Sequence, residues 1–336
     1  MTTVSPLLAI VVLNWNGKED TLACLESVRH VDCNNFKVII VDNGSTDGSQ
    51  RVIRSAFPQH ELIEIGVNLG FAGGNNIGIQ RALEIASDYI LLLNNDTVVD
   101  ADILNAFVSA AQRHPEAGAF SARIYFHHQP DTIWYAGAIW MPDLSRFTHV
   151  GWSKPDNDEE FGVEGVTDYA CGCAFFVPAK IFREVGLLDE RFFLTFEETD
   201  WCYRARKAGH PSIYVPTAKL WHKVSASFGG ANSPLACYFM TRNSLLWASK
   251  HLSLRNRLRL LNRIRIDLSP RFEIGRRSGA GLLRSLYWGV VGFCQELKKR
   301  AADKVWQAHI LGIRDYFFGR LGHQTQTVER LTHRSN

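Results

Sequence analysis

Three short apolar runs, at residues 7–13, 38–41 and 89–93, each end abruptly in a polar, turn-forming cluster, and this constrains the fold more than any other feature of the chain. The runs are continuous in aliphatic and β-branched residues, as expected of strands covered on both faces. Their clusters are Asn14-Trp15-Asn16-Gly17, Asp42-Asn43-Gly44-Ser45-Thr46-Asp47-Gly48 and Asn94-Asn95-Asp96. Helical patterns follow at about residues 19–31, 49–56 and 75–86. This βαβα order predicts a parallel sheet with right-handed crossovers. Ligands of such sheets bind outside the carboxyl ends of the strands, so the three clusters are expected to converge on one crevice. Further on, the pattern predicts a helix over 101–113, aromatic-rich sheet or long loop over 124–151 and a surface loop over 154–160. A strand at 213–215 ahead of Pro216 and helices beyond Tyr238 complete the reading.

With 46% apolar and 21% charged residues over 336 positions, the chain is globular and neither disordered nor collagen-like. Its length predicts two domains, or one with an appendage. Seven cysteines without a CxxC favour neither a disulfide framework nor a zinc site, and fit a reducing cytosol. The first apolar run lacks a preceding basic residue and reads as a strand, not a targeting peptide. The longest other apolar stretch, 286–294, is far below the ~20 residues of a membrane span. The net charge of +3 conceals −9 over residues 1–249 and +12 over 250–336, so the two parts meet different partners.

Five constellations carry chemistry. Asp42, ending a buried strand, suits a ribose hydroxyl or base N–H; the alternative is a plain turn with Asp47 or Ser49 as a helix cap. Asn68-Leu69-Gly70-Phe71-Ala72-Gly73-Gly74-Asn75-Asn76-Ile77-Gly78 places four glycines before the expected helix, which lets backbone approach a phosphate or sugar, or simply makes a turn. It matches neither the dinucleotide fingerprint nor the P-loop. Asp96, just past a strand, suits Mg²⁺ or Mn²⁺, or else caps a helix. In Phe196-Glu197-Glu198-Thr199-Asp200, an aromatic run beside paired carboxylates can raise a pKa toward that of a general base, but a solvated helix start is the plainer reading, and Asp200 and Arg204 have the spacing of a helix salt bridge. His222 gains interest only from this company.

Taken in order, these motifs, with Gly186-Leu187-Leu188-Asp189-Glu190, resemble glycosyltransferase family 2 and its bacterial rhamnosyltransferase-like branch, over about residues 7–230. The resemblance implies a GT-A fold, with residues 1–235 catalytic and 236–336 a basic helical region. It implies inverting transfer of a sugar, with rhamnose from dTDP-rhamnose as the expected donor, onto a glycan or lipid-linked acceptor in surface polysaccharide assembly. By position, Asn14, Trp15 and Asp42 would contact base and ribose, with Asn43, Asn68, Asn75 and Asn94 on the same nucleotide. Asn94 and Asp96 stand at the family's DxD site. Asp96 and His222 would hold Mg²⁺ or Mn²⁺. Glu198 falls at the catalytic base, with Glu197 as the alternative. Gly172, Cys173 and Asp200 would lie near donor sugar or acceptor. Two departures stand out: the DxD site reads Asn-Asn-Asp, and the Glu-Asp of the family reads Glu-Glu.

The basic region, with Tyr287, Trp288, Trp306, Tyr316, Phe317 and Phe318 as aromatic anchors, points to an anionic membrane surface. A plain helical subdomain or oligomer interface is the alternative, and no motif supports nucleic-acid binding. The expected location is the cytoplasm, at the inner face of the membrane. Competing functions are a sugar-nucleotide nucleotidyltransferase, whose basic Gly-rich loop is not seen after the first strand, and a non-catalytic nucleotide-sugar or membrane-binding module.

Overall fold

The computed structural model describes residues 5–142, 146–224, 233–269, 295 and 298–322. Tyr287, Trp288 and the 286–294 run lie outside them. The chain forms two compact units, Met1–Ser227 and Phe228–Asn336.

In the first unit, β1 (Leu8–Asn14), β2 (Phe36–Asp42), β3 (Glu61–Glu64) and β4 (Tyr89–Asn94) alternate with α1 (Lys18–Arg29), α2 (Ser49–Ala56) and α3 (Gly70–Glu84). β1 lies parallel between β2 and β4, in register from Leu8 opposite Phe36 to Asn14 opposite Asp42, and β3 extends the sheet beside β2. The second half of the sheet mixes directions. It comprises β5 (Thr97–Val99), β6 (Ala119–Phe126), β7 (Gln129–Tyr135), β10 (Gly165–Thr167), β11 (Ala174–Pro178) and β12 (Ser212–His222). β11 runs antiparallel to β4 and β6, and β12 runs parallel to β6. A separate hairpin joins β8 (Ala138–Met141) to β9 (Arg146–His149). Helices α4 (Ile103–Arg113), α5 (Asp158–Phe161), α6 (Ala179–Val185) and α7 (Glu197–Lys207) complete a mixed α/β sheet flanked by helices. Its interior strands are buried on both faces, as their continuous apolar runs require.

Three expectations change. Gly70, Gly73, Gly74 and Gly78 lie inside α3, not ahead of it. A β-carbon on Gly74 would strike Leu13 and one on Gly78 would strike Val11, so these glycines let the helix settle close onto β1. The strand at Pro216 continues to His222, because the proline falls within a register shift between Val215 and Lys219 where a ladder donor is dispensable. The 154–160 loop turns helical at Asp158, where Asn157 accepts from Glu159 N and the buried Arg123 holds Asp156 and Asp158.

The second unit contains α8 (Pro234–His251), α9 (Leu254–Leu268) and α10 (Lys304–Phe317). Ser233 caps α8 by accepting from Ala236 N, with Pro234 in the first turn. Gly312 of α10 approaches the Tyr238 carbonyl of α8 so closely that a β-carbon would stand 2.7 Å from it, and the Tyr238 hydroxyl donates to the buried Asp315 at 2.9 Å. Leu245, Ala248 and Leu260 join α8 to α9. Among the described residues no helix is long and apolar enough to cross a membrane.

Candidate active site

The strand-end clusters converge as the topology predicts. Asn14 Nδ2 donates to Asp42 Oδ2 at 2.7 Å and to Ser45 Oγ at 3.0 Å, while Asn14 Oδ1 accepts from Thr21 Oγ1 at 2.8 Å. Asp42 Oδ1 accepts from Ser45 N and Gln50 Nε2. Asn95 Nδ2 donates to Thr21 Oγ1, which brings the third cluster alongside. Asn43 bridges to the glycine-rich segment: its amide donates to Asn68 Oδ1 and Gly70 O and accepts from Leu69 N. Asn14, Asp42 and Asn43 are buried, whereas Trp15 and Asn68 are half-buried. Asn75 is buried and donates to Phe71 O of its own helix.

Asn94 and Asp96 flank the end of β4. Asn94 Nδ2 donates to Cys173 Sγ at 3.7 Å, and its Oδ1 is buried with no hydrogen-bond partner. Pairing of β12 with β5 sets His222 opposite Thr97, so His222 Nε2 stands 3.3 Å from Asp96 Oδ1. That oxygen is buried and receives no aligned hydrogen bond. Cys173 Sγ lies 3.5 Å from His222 Nδ1. A carboxylate oxygen and an imidazole nitrogen held this close, beside the stranded Asn94 Oδ1, fit a hard divalent cation whose remaining ligands come from phosphate and water. Among the described residues no group of three or more acidic, His or Cys side chains forms a complete cation cage.

Glu197 and Glu198 open α7, where an acidic first turn suits the helix N-terminus. The preceding backbone is strained: Phe193, Thr195 and Phe196 take φ of 63°, 66° and 72°, each costing on the order of 1–3 kcal/mol. Gly70, itself left-handed, makes room for this turn against Phe193. One oxygen of each glutamate, Oε2, is buried without a partner. Burial pushes both carboxyls up from the ordinary range, and the Glu198 charge pushes Glu197 further. Backbone N–H groups of Glu198, Thr199 and Gly172 draw Glu198 back toward its charged form. Gly172 lies between the two sides: a β-carbon there would sit 3.5 Å from the Phe71 ring and 3.7 Å from Glu198 Oε1.

Asp200 is fully buried and pairs with Arg204 Nε at 3.0 Å, the helix salt bridge that its spacing allowed. Arg204 also donates to the Val185 and Leu187 carbonyls. Sequence reading passed over Asn76, which clamps the 188–190 segment by donating to Leu188 O and Glu190 Oε1 and accepting from Leu188 N. Its position beside Asn75 was visible, but only the fold shows which amide faces the loop. Trp134, His149 and Tyr169 were also missed. Their only sequence signal was the aromatic content of 124–151 and its neighbourhood.

A family model described as glycosyl transferase family 2 matches residues 9–186. The chain is 29% identical over 248 residues to an N-acetylglucosaminyl-diphospho-decaprenol L-rhamnosyltransferase of Mycobacterium tuberculosis, covering 68% of this chain and 79% of the relative. It is 23% identical over 252 residues to a dTDP-rhamnosyl transferase of Shigella flexneri, covering 72% and 79%. In structure it is similar to a mannosyltransferase from Pyrobaculum calidifontis solved with GDP-Man and Mn²⁺, with a TM-score of 0.56 at 15% identity, covering 95% of this chain and 89% of that one. That likeness carries the fold. Together the convergent strand ends, the matched family model and these relatives establish that the chain is a glycosyltransferase belonging to family 2.

Proposed function

We propose that the protein moves a sugar, rhamnose from dTDP-rhamnose, onto a hydroxyl of a glycan or lipid-linked acceptor in bacterial surface polysaccharide assembly, with inversion at the anomeric carbon. The observation that carries this reading is the set of stranded buried atoms, Asn94 Oδ1, Asp96 Oδ1, Glu197 Oε2 and Glu198 Oε2, gathered around Gly172 and Cys173. An unpartnered buried polar atom costs about 1–3 kcal/mol, which a bound substrate would recover. The rhamnosyltransferase relatives support the choice of sugar.

Glu198, whose charged form backbone N–H groups favour, takes the proton of the attacking hydroxyl. Glu197 stays protonated and holds Glu198 in place. Asn14, Trp15, Asp42, Asn43, Asn68, Asn75 and Asn94 shape and line the nucleotide end. Asp96 and His222 would hold Mg²⁺ or Mn²⁺, which when bound supplies positive charge against the leaving diphosphate. Direct displacement by a hydroxyl on the face opposite the diphosphate inverts the anomeric centre.

Residues 1–235 form the catalytic part of this reading and 236–336 its basic helical region. On α9, exposed Leu254, Leu258 and Ile266 stand among exposed Arg255, Arg259 and Arg265, which fits docking on the anionic inner face of the cytoplasmic membrane. Salt-sensitive cosedimentation with anionic vesicles, and none with neutral ones, is the expected result. For the reaction itself, incubation with dTDP-rhamnose, Mg²⁺ or Mn²⁺ and a panel of glycan acceptors should yield a product of inverted anomeric configuration by NMR. A retained configuration, or transfer that persists undiminished in Glu198→Gln, would overturn the mechanism.

A further inference from the structure

Among the described residues, the indole Nε1 of Trp134 is a stranded buried atom outside the groups assigned above. The Trp134 ring meets His222 edge to face, with centroids 4.8 Å apart and planes at 84°, and meets His149 at 4.8 Å and 68°. Trp152 continues the wall outward, 5.9 Å from Trp134 and 5.7 Å from His149, with Phe126 against its edge at 5.4 Å. Yet Trp152 remains 49% exposed, the most open tryptophan among the described residues.

Its pose is fixed by backbone. Gly151 and Ser153 on either side are left-handed, at φ 74° and 59°, Ser153 N donates to Ile133 O at 2.9 Å, and Ile133 N donates to Lys154 O at 2.8 Å. A serine held in that conformation marks a turn imposed by its surroundings. Behind the wall, His149 Nδ1 faces Trp134 O at 3.3 Å and His149 Nε2 faces the Tyr169 hydroxyl at 2.7 Å. Burial pushes His149 down to about 4, so at neutral pH its Nδ1–H donates to the carbonyl and its Nε2 accepts from the tyrosine. At His149 the wall is therefore uncharged. It runs from the Asp96–His222 pair to a plate open to solvent.

A fixed aromatic plate with one unsatisfied donor beside it matches a ring that has a C–H face and an oxygen-bearing rim. A hydrocarbon chain would use the plate but leave the Trp134 N–H stranded. Resting on the reading of this site as a glycosyl-transfer centre, we propose that Trp134 and Trp152 form an acceptor subsite for a hexopyranose unit. The sugar lays its C–H face on Trp152 and accepts a hydrogen bond from Trp134 Nε1.

The test is saturation-transfer NMR on the full chain with the methyl pyranosides of glucose, N-acetylglucosamine, galactose and mannose as probes, and farnesol as the hydrocarbon probe. Nucleoside diphosphate binding (dTDP, UDP, GDP with Mn²⁺) is measured separately by calorimetry. At least one pyranoside should bind. Trp152→Ala should weaken it about tenfold, Trp152→Tyr should restore most of the loss, and Trp134→Phe should weaken it several-fold, all with nucleotide affinity unchanged. The proposal fails if no pyranoside binds, if neither variant weakens one, or if farnesol displaces the sugar and is itself the ligand lost in Trp152→Ala. Tryptophan-dependent pyranoside binding without any nucleotide binding would instead strike the transferase reading and leave the subsite standing.

Discussion

On the β1–β2 side of the crevice, Asn14, Asp42 and Asn43 engage their side-chain oxygens and nitrogens in hydrogen bonds to neighbouring loops. On the β4–β11–β12 side and at the start of α7, Asn94, Asp96, Glu197, Glu198 and Trp134 each keep a buried polar atom that makes no hydrogen bond. Asn and Asp stand on both sides, at or just past the ends of the parallel strands β1, β2 and β4. The difference lies in what completes them: one side is finished by the protein, whereas on the proposed mechanism the other is left for substrate to finish. Residue identity alone does not separate a group that shapes a site from one that reacts in it.

The comparison is most sharply tested at Glu198. Glu198→Gln should lower kcat by about 10²–10⁴-fold, the usual contribution of a positioned base, while calorimetry shows nucleotide affinity unchanged. Near wild-type turnover would move Glu198 to the shaping side. Asp42→Ala should do the converse. It removes acceptors from Asn14, Ser45 N and Gln50, and should cost about 3 kcal/mol of stability in urea denaturation; a loss below about 1 kcal/mol would mean that this side holds without it. Gly78→Ala pushes a methyl group into Val11 and should cost about 1–3 kcal/mol in the same assay, with no change expected if α3 can simply lift from β1.

The smallest effect carries the opposite sign. Burial raises the Glu197 carboxyl well above its unfolded value of about 4.3, so the native state holds a proton that the unfolded chain has released. The contribution of Glu197 to stability is then fully present below about pH 4.3 and lost as pH rises through the folded value. Glu197→Gln should therefore raise stability at neutral pH by about 1 kcal/mol and flatten that decline; a parallel curve would show that the pair holds no extra proton.

Much of this was legible in sequence because the informative signals are local. Apolar runs ending in Asn14, Asp42 and Asn94 located the crevice, and the spacing of Asp200 and Arg204 anticipated their salt bridge. Gly74 and Gly78 carried two readings because a close helix–strand contact and a phosphate-binding loop require the same residue, and only the neighbours Leu13 and Val11 show the contact. Asn76 and Trp134 could not be singled out. Their roles depend on Leu188 and His222, 112 and 88 positions away, and no periodicity encodes such pairings.

The reach of Asn76 also bears on how the protein assembles. Asn14 and Asp42 are 28 residues apart, so the shaping side closes over a short span, whereas the clamp on the segment leading to Glu197 and Glu198 spans 112 residues. Long loops close later than short ones. During refolding, or as the chain leaves the ribosome, the loops around Asn14 and Asp42 are expected to acquire hydrogen-exchange protection before α7 docks. On the proposed mechanism a partly folded molecule would then lack its base, and chemistry would switch on only with the last long-range contact. Pulse labelling that protects both regions in one step would refute this order.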